Sequence, residues 1–211
     1  MSGSLHVRVD ALARFAWRDN RAAQLVEFAL TLPLLVFFVI GIFDFSNAFT
    51  LKQKLTNIAR DAARVAAADP ANDLQSPSTS APVSIIDAFL DVDNYLLANN
   101  INDCGIALAA GTSTGLTWTF TASGNGCPPG GLTIIINRGY YFSAALATQA
   151  ANVNCQSQPL GGGATQTAVI STCVSVQYGY QWRFGRIASI LGGSTVLPST
   201  ISAATVAMNE N

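Results

Sequence analysis

The chain has 211 residues, of which 11% are charged, and its formal net charge is −1. So small a net charge gives no long-range steering toward nucleic acid, and no basic patch interleaved with aromatic residues is visible, so nucleic-acid binding is not expected. The only histidine, His6, lies near the amino terminus, which leaves the rest of the chain without Ser-His-Asp or Cys-His catalysis and without the commonest zinc and iron ligand. We therefore expect no enzymatic activity, no cofactor and no metal.

The first predicted element is the apolar run from Ala22 to Phe43, in which Glu27 is the only ionisable residue. An α-helix of this length reaches about 33 Å, which matches a bilayer hydrocarbon core of about 30 Å. The run predicts a single transmembrane helix over residues 23–43, preceded by a leader over residues 1–22.

The charges of the leader predict the orientation of the span. The leader carries four arginines against two aspartates. Short basic flanks stay on the cytoplasmic side, whereas a large carboxyl-terminal part can cross the membrane despite its charges. We expect a cytoplasmic leader and place residues 45–211 on the outer side.

The helical pattern continues beyond the apolar run. A secretory signal peptide usually ends at a cleavage site of small residues, after which the mature fold begins. Here the apolar run is followed by residues 44–68, which contain no Gly or Pro and can continue the helix. One apolar stripe recurs at three- and four-residue steps: Ala48, Leu51, Leu55, Ile58, Ala62 and Val65. We predict one helix of roughly 45 residues whose amphipathic second half, over residues 44–68, packs on the rest of the chain. The alternative is a cleaved signal peptide followed by an unrelated soluble helix.

A linker and a second helix follow. Residues 69–83 contain three prolines amid Ser, Asn and Thr, which predicts a linker. Val83 to Leu97 repeats apolar residues at helical spacing: Ile86, Phe89, Leu90, Val92, Leu96 and Leu97. Three aspartates lie between them, and they are interpreted as a solvated face because the loop glycine and terminal glutamate of an EF-hand are missing: Asp87, Asp91 and Asp93.

Strand patterns dominate the remainder of the extracytoplasmic α+β domain, which is predicted over residues 84–211. The predicted strands are Leu116–Thr121, Leu132–Ile136, Ala168–Phe184 and Thr200–Met208. In the third strand, alternation places five residues on one face: Val174, Val176, Tyr178, Tyr180 and Trp182. The predicted fold class is α+β, with a long transmembrane-plus-amphipathic helix packed on an antiparallel sheet of about four strands.

All four cysteines follow the predicted span: Cys104, Cys127, Cys155 and Cys173. An even number confined to the translocated side indicates disulfides in an oxidising compartment. Of three possible pairings we favour Cys104–Cys127 and Cys155–Cys173, because sequence neighbours close modest loops. A four-thiolate zinc site is disfavoured because the chain has no C-x2-C pair.

Residues 21–66 begin RAAQLVEFALTLPLL, continue through an apolar run that ends in GIFDF, and reach TNIARDAAR. This segment resembles the TadE-like family, the minor pilins or pseudopilins of the tight-adherence (Flp-type) pilus apparatus, and the fold it implies is pilin-like. The carboxyl-terminal VSVQY and AATVAMNE are also similar to that family, whereas residues 70–165 carry no recognisable signature.

The resemblance implies a processing site and an assembly site. A prepilin peptidase would cut between Ala22 and Ala23, although related substrates often have Gly before the cut. Glu27 and Phe28 would then serve assembly, with Glu27 paired to the new amine of the same or a neighbouring subunit. The alternative is a Glu27 that snorkels to the interface. Pro33 removes a backbone hydrogen bond, which predicts a kinked or loosened helix in this assembly segment.

The resemblance also implies a function. It predicts a single-pass protein of the bacterial inner membrane, with a periplasmic domain, that assembles into or supports an adhesive Flp/Tad pilus through helix packing. Its implied partners are membrane lipid, other pilin-like subunits, the Tad secretion platform and the prepilin peptidase, and its implied final location includes the surface pilus. The alternative is a signal-anchored protein that binds an extracytoplasmic ligand or envelope component and never joins a filament.

Overall fold

The computed structural model describes residues 20–74, 80–143, 152–157, 168–183, 185 and 197–210. These form two α-helices, two short 3-10 turns and one five-stranded sheet. The helices are α1 (Asn20–Ala68) and α2 (Val83–Ala98), and the turns are Ala71–Leu74 and Leu108–Ala110. The strands are β1 (Thr112–Thr114), β2 (Thr117–Ala122), β3 (Leu132–Ser143), β4 (Ala168–Gly179) and β5 (Thr200–Met208).

Helix α1 runs without interruption over 49 residues and passes through Pro33. At the usual rise per residue it is about 73 Å long. By length and composition it is the one helix among the described residues that could cross a membrane. The prediction of a continuous helix with a single candidate span is therefore confirmed, whereas most of the predicted leader, residues 1–19, lies outside the described residues.

The sheet is an antiparallel meander in the order β1-β2-β3-β4-β5. Strand β3 extends past the predicted Ile136 because a register shift between Asn137 and Tyr140 lets pairing with β4 resume after the alternation breaks. Strand β4 ends at Gly179 rather than at Phe184. A Cβ at Gly179 would lie within 2.5 Å of the Pro129 carbonyl oxygen, so the chain passes here too closely for a larger residue.

The core lies between the sheet, the second half of α1 and helix α2. Leu55, Ile58 and Ala62 of the predicted stripe are fully buried, but Val65 is 37% exposed, so its assignment to the stripe is wrong. Ala66 is buried in its place. The steps of the predicted stripe are shorter on average than the 3.6 residues of one helical turn, so the stripe drifts around the helix. The contacts of α1 with both α2 and the sheet also widen the buried face.

Helix α2 forms where the sequence predicts it, but two of its core positions differ from the prediction. Leu90 and Leu97 are exposed, whereas Ile85 and Ala88 are fully buried against the other elements. The Phe89 ring lies 4.7 Å from the ring of Phe120 on β2, between centroids, which joins α2 to the sheet. The face of α2 that is buried therefore differs from the face that the spacing of its large apolar residues predicts: it is turned about the helix axis toward Ile85 and Ala88.

Candidate functional site

The first half of α1 presents apolar side chains to its surroundings. Only 6% of its most apolar 18-residue stretch is buried, whereas the core helix of a soluble domain is mostly buried. The large exposed side chains on this half include Leu25, Phe28, Leu30, Phe38 and Phe43. A continuous apolar surface of this size fits lipid or other apolar helices.

The residues predicted to serve processing and assembly lie on this half of the helix. The backbone is already helical at Ala22 and Ala23, and the side chains of Ala23, Glu27, Phe28 and Pro33 are exposed. Proline has no N–H, so the helix lacks one intrahelical hydrogen bond at Pro33, yet its helical conformation continues on both sides. The exposed Glu27 is thus open to a partner from another chain.

Two lysines on the second half of α1 donate hydrogen bonds to backbone carbonyls of neighbouring elements. The Lys52 ammonium group donates to the carbonyl oxygen of Ser202 on β5. Lys54 donates to the carbonyl oxygen of Asn99, just after α2, at 3.3 Å. These bonds add to the apolar packing that joins the helix to the head, by which we mean residues 69–210.

The carboxyl-terminal end of α1 is held by one buried side chain, Arg138 of β3, which is 1% exposed. The guanidinium group donates to both carboxylate oxygens of Asp73, at 3.0 and 3.1 Å. It also donates to the carbonyl oxygens of Ala66, Asp69 and Pro70, the last two at 3.2 and 3.3 Å. Helix carboxyl ends expose unpaired carbonyls and partial negative charge, which a guanidinium with five donors can satisfy.

The last residues of the chain complete this arrangement, which we call the Arg138 clasp. The amide oxygen of Asn209 accepts a 2.5 Å bond from the hydroxyl of Thr172 on β4. The backbone N–H of Glu210 donates to the carbonyl oxygen of Ala67 at 2.9 Å. The clasp therefore joins the helix end, the following turn, two central strands and the carboxyl-terminal segment.

The charges of Arg138 and Asp73 form an ion pair within the clasp. Burial by itself raises the pKa of Asp73, but hydrogen bonds from Arg138 and from Ser84 outweigh it and lower the pKa below the usual value of 3.8. Asp73 is therefore ionised at neutral pH, and its charge is matched by the Arg138 guanidinium. A buried arginine without such a partner would be strongly unfavourable.

Two disulfides close the connecting segments of the head. The structure contains Cys104–Cys127 and Cys155–Cys173, the pairing that the sequence favours, and it has no free cysteine among the described residues. The sequence separations are 23 and 18 residues. On the chain-entropy estimate each bridge stabilises the head by about 3 kcal/mol.

The acidic residues of α2 differ partly from their predicted role. Asp87 is exposed as expected, but Asp91 and Asp93 are half-buried. Burial is the larger cause that raises the pKa of both carboxyl groups. The nearby Asp61 carboxylate raises the pKa of Asp91 further, and the Asp103 carboxylate does the same for Asp93. The interpretation of these three residues as a solvated face therefore holds for Asp87 but is wrong for Asp91, near Asp61 of α1, and for Asp93, near Asp103 after α2, which are both half-buried.

No metal-binding cluster is present in the part of the chain that the structure describes: it contains no group of three or more His, Cys, Asp or Glu residues arranged to hold an ion. The cysteine sulfurs are consumed in the disulfides, so they offer no thiolate ligands. The features that stand out are a bare apolar helix surface and the contacts that fix a head to it.

A helix that is exposed and apolar over its first half, and packed on an antiparallel sheet over its second, defines an α+β protein with one candidate membrane-anchoring helix. A family model described as TadE-like protein matches residues 22–64, so the resemblance to that family is confirmed over the anchoring helix. The matched segment ends before the sheet. Comparison of the chain with curated proteins and with solved structures gives no match.

Proposed function

We propose that this protein is a minor pilin or pseudopilin of a Tad-type pilus system, and that it acts by packing its long helix against other pilin-like helices. The TadE-like match and the candidate membrane helix support a pilus-associated membrane protein. The observation that carries the assembly role is the bare apolar surface of α1 within the matched segment. Such a surface can exchange lipid contacts for contacts with similar helices.

The proposal includes a location and an order of events. Residues 1–22 form a cytoplasmic leader, residues 23–43 span the inner membrane, residues 44–68 and the linker over residues 69–83 lead into the periplasmic domain, and prepilin peptidase cuts between Ala22 and Ala23. Both disulfides support an oxidising compartment for the head. The processed subunit then meets the Tad secretion platform and enters or primes the surface pilus.

Glu27 supplies specificity to this packing. A carboxylate near the centre of a membrane helix costs about 2.5–3.5 kcal/mol on insertion scales, and less toward the interface. An amine at the new terminus, Ala23, lies one helical turn from Glu27 and offsets that cost on the same or a neighbouring subunit. The role requires no catalysis, and we propose that the protein is structural rather than enzymatic.

The test replaces Glu27 with alanine in the native operon, with Gln24→Ala as the matched control one turn away on the same exposed helix. Membrane insertion is measured by alkaline extraction, and piliation by shearing and electron microscopy. We expect both variants to remain in the membrane and only Glu27→Ala to lose pili. Normal piliation of Glu27→Ala would contradict the assembly role.

The same preparations distinguish the anchored ligand-binding alternative. The intact mass of the membrane-bound protein shows whether residues 1–22 have been removed. Removal supports entry into a pilin pathway, whereas a leader that persists on the mature protein favours a signal-anchored ectodomain that never joins a filament.

A further inference from the structure

Three aromatic rings meet where helix α1 leaves its bare apolar half and enters the head. The ring of Phe45 lies 5.2 Å from that of Trp182, and Tyr180 lies 4.9 Å from Trp182, measured between centroids. Tyr180 and Trp182 directly follow the end of β4. Phe49, one turn further along the helix, is 64% exposed. We call these four residues the aromatic collar.

The polar atoms of the collar are satisfied within the protein. The Tyr180 hydroxyl lies 3.0 Å from both the carbonyl and a carboxylate oxygen of Asp44, and the Trp182 indole N–H donates to the Pro198 carbonyl at 2.6 Å. Burial and Asp44 raise the pKa of Tyr180 to about 12, so its hydroxyl keeps its proton and donates it. With these bonds made, the rings can lie in a water-poor environment at little cost.

The one carboxylate of this part of the helix is shielded by the head. Asp44 is 3% exposed, although the neighbouring Phe43 and Phe45 are mostly exposed. A bare carboxylate at this depth would resist contact with lipid. Because Tyr180 covers Asp44, the outward face that carries the exposed Phe45 and Phe49 presents no charge of its own, and the half-buried rings of Tyr180 and Trp182 lie beside it.

The spacing along the helix places the collar at a membrane boundary. From Ala23, where the predicted span begins, to Phe45 the helix advances 22 residues (45 − 23), which is about 33 Å and places Phe45 just beyond a hydrocarbon core of about 30 Å. Trp and Tyr side chains are enriched at the interface just beyond that core. The exposed Arg183 follows Trp182 directly and can reach lipid phosphates.

The geometry points to a lipid-binding surface: the aromatic collar lies in the headgroup region of the leaflet on the head's side, so the head rests on the bilayer. The bilayer is the partner that fits, because Phe45 and Phe49 continue the exposed helix face that Phe38 and Ile42 present within the span. The inference rests on the membrane anchoring in the proposed function and is independent of any pilus role.

Fluorescence quenching by brominated lipid tests the contact. The full chain carrying Trp17→Phe, which leaves Trp118 and Trp182, is reconstituted into phosphatidylcholine vesicles brominated near either the headgroup end or the methyl end of the acyl chain. We expect quenching that is stronger with bromine near the headgroup. Adding Trp182→Phe should abolish it, whereas adding Trp118→Phe should preserve it, because Trp118 is a core residue 7% exposed.

The Trp182→Phe and Trp118→Phe variants test the contact separately, so the test remains if one of them fails to fold. Quenching that persists unchanged after Trp182→Phe, or a Trp182-only protein that neither lipid quenches, would overturn the contact. Alkaline extraction of the same vesicles distinguishes the two proposals. A chain that is retained but not quenched contradicts the collar alone, and a chain that is extracted contradicts the membrane anchoring as well.

Discussion

Arg138 illustrates how one side chain can join distant parts of this chain. Its partners Ala66, Asp73 and Asn209 lie 65 to 72 positions away in the sequence. Because the arginine replaces water at the helix carboxyl terminus, its removal takes the matching charge from the Asp73 carboxylate, which keeps only the Ser84 hydroxyl among these donors, and takes the donor from several carbonyls. The loss is therefore larger than that of an ordinary surface charge.

Arg138→Met keeps the apolar stem and removes the charge. We expect it to lower the free energy of unfolding by about 3–5 kcal/mol, the usual effect of removing one partner of a buried ion pair. Denaturant titration of the detergent-solubilised chain measures this change. Arg138→Lys, which keeps the charge but loses the forked geometry, should lose less. A loss under about 1 kcal/mol for Arg138→Met would show that the clasp contributes little.

The clasp could not be predicted from the sequence. The run III-NRG-YYF contains one charge within an apolar strand, and that pattern is the only local signal of a buried arginine. Which carbonyls it meets depends on where the helix ends in space. Asp44 and Tyr180 were missed for the same reason, since 136 positions separate them. By contrast, the disulfides join sequence neighbours, and the sequence favours the pairing found.

At the scale of elements, the long helix has two different halves. Its second half packs small residues against the sheet on one side and α2 on the other, with Ala59, Ala62, Ala63 and Ala66 fully buried. Alanines at these positions let the backbones approach closely. Larger side chains there have no space to occupy.

Ala62→Leu and Val65→Leu are a matched pair on this helix. Ala62 is fully buried, so the added carbons should overpack the core and lower the free energy of unfolding by about 1–3 kcal/mol. Val65 is exposed, so its substitution should change stability by about 0.5 kcal/mol or less. Thermal and denaturant unfolding compare the two. If Val65→Leu is the more damaging, the orientation of the helix is wrong.

The periodicity of apolar residues predicts which helices and strands form better than it predicts where they begin and end. Helix α2 and strand β5 lie where the sequence places them, because uninterrupted helical spacing and alternation are strong local signals. The sequence does not predict β1, a short exposed strand of Thr and Ser. It also misses the continuation of β3 across its register shift, where alternation changes face.

For the whole molecule, the head fixes one half of α1 and leaves the other half bare. Contacts hold the fixed half near both of its ends, at Asp44 by Tyr180 and at Ala66 by Arg138. Freedom to change partners therefore belongs to the segment from Ala23 to Phe43, which carries Glu27 and Pro33. This division suits the function we propose, in which the head stays unchanged while the anchor moves from lipid into contact with other helices.

Amino-terminal sequencing of the native protein, recovered separately from membrane and sheared-pilus fractions, shows whether the head stays attached to the apolar helix. We expect a chain that begins at Ala23, retains the entire apolar helix and is absent from the soluble fraction. A soluble form that starts beyond Phe45 would contradict it, because the head would then have been released from the helix on which the proposed function depends.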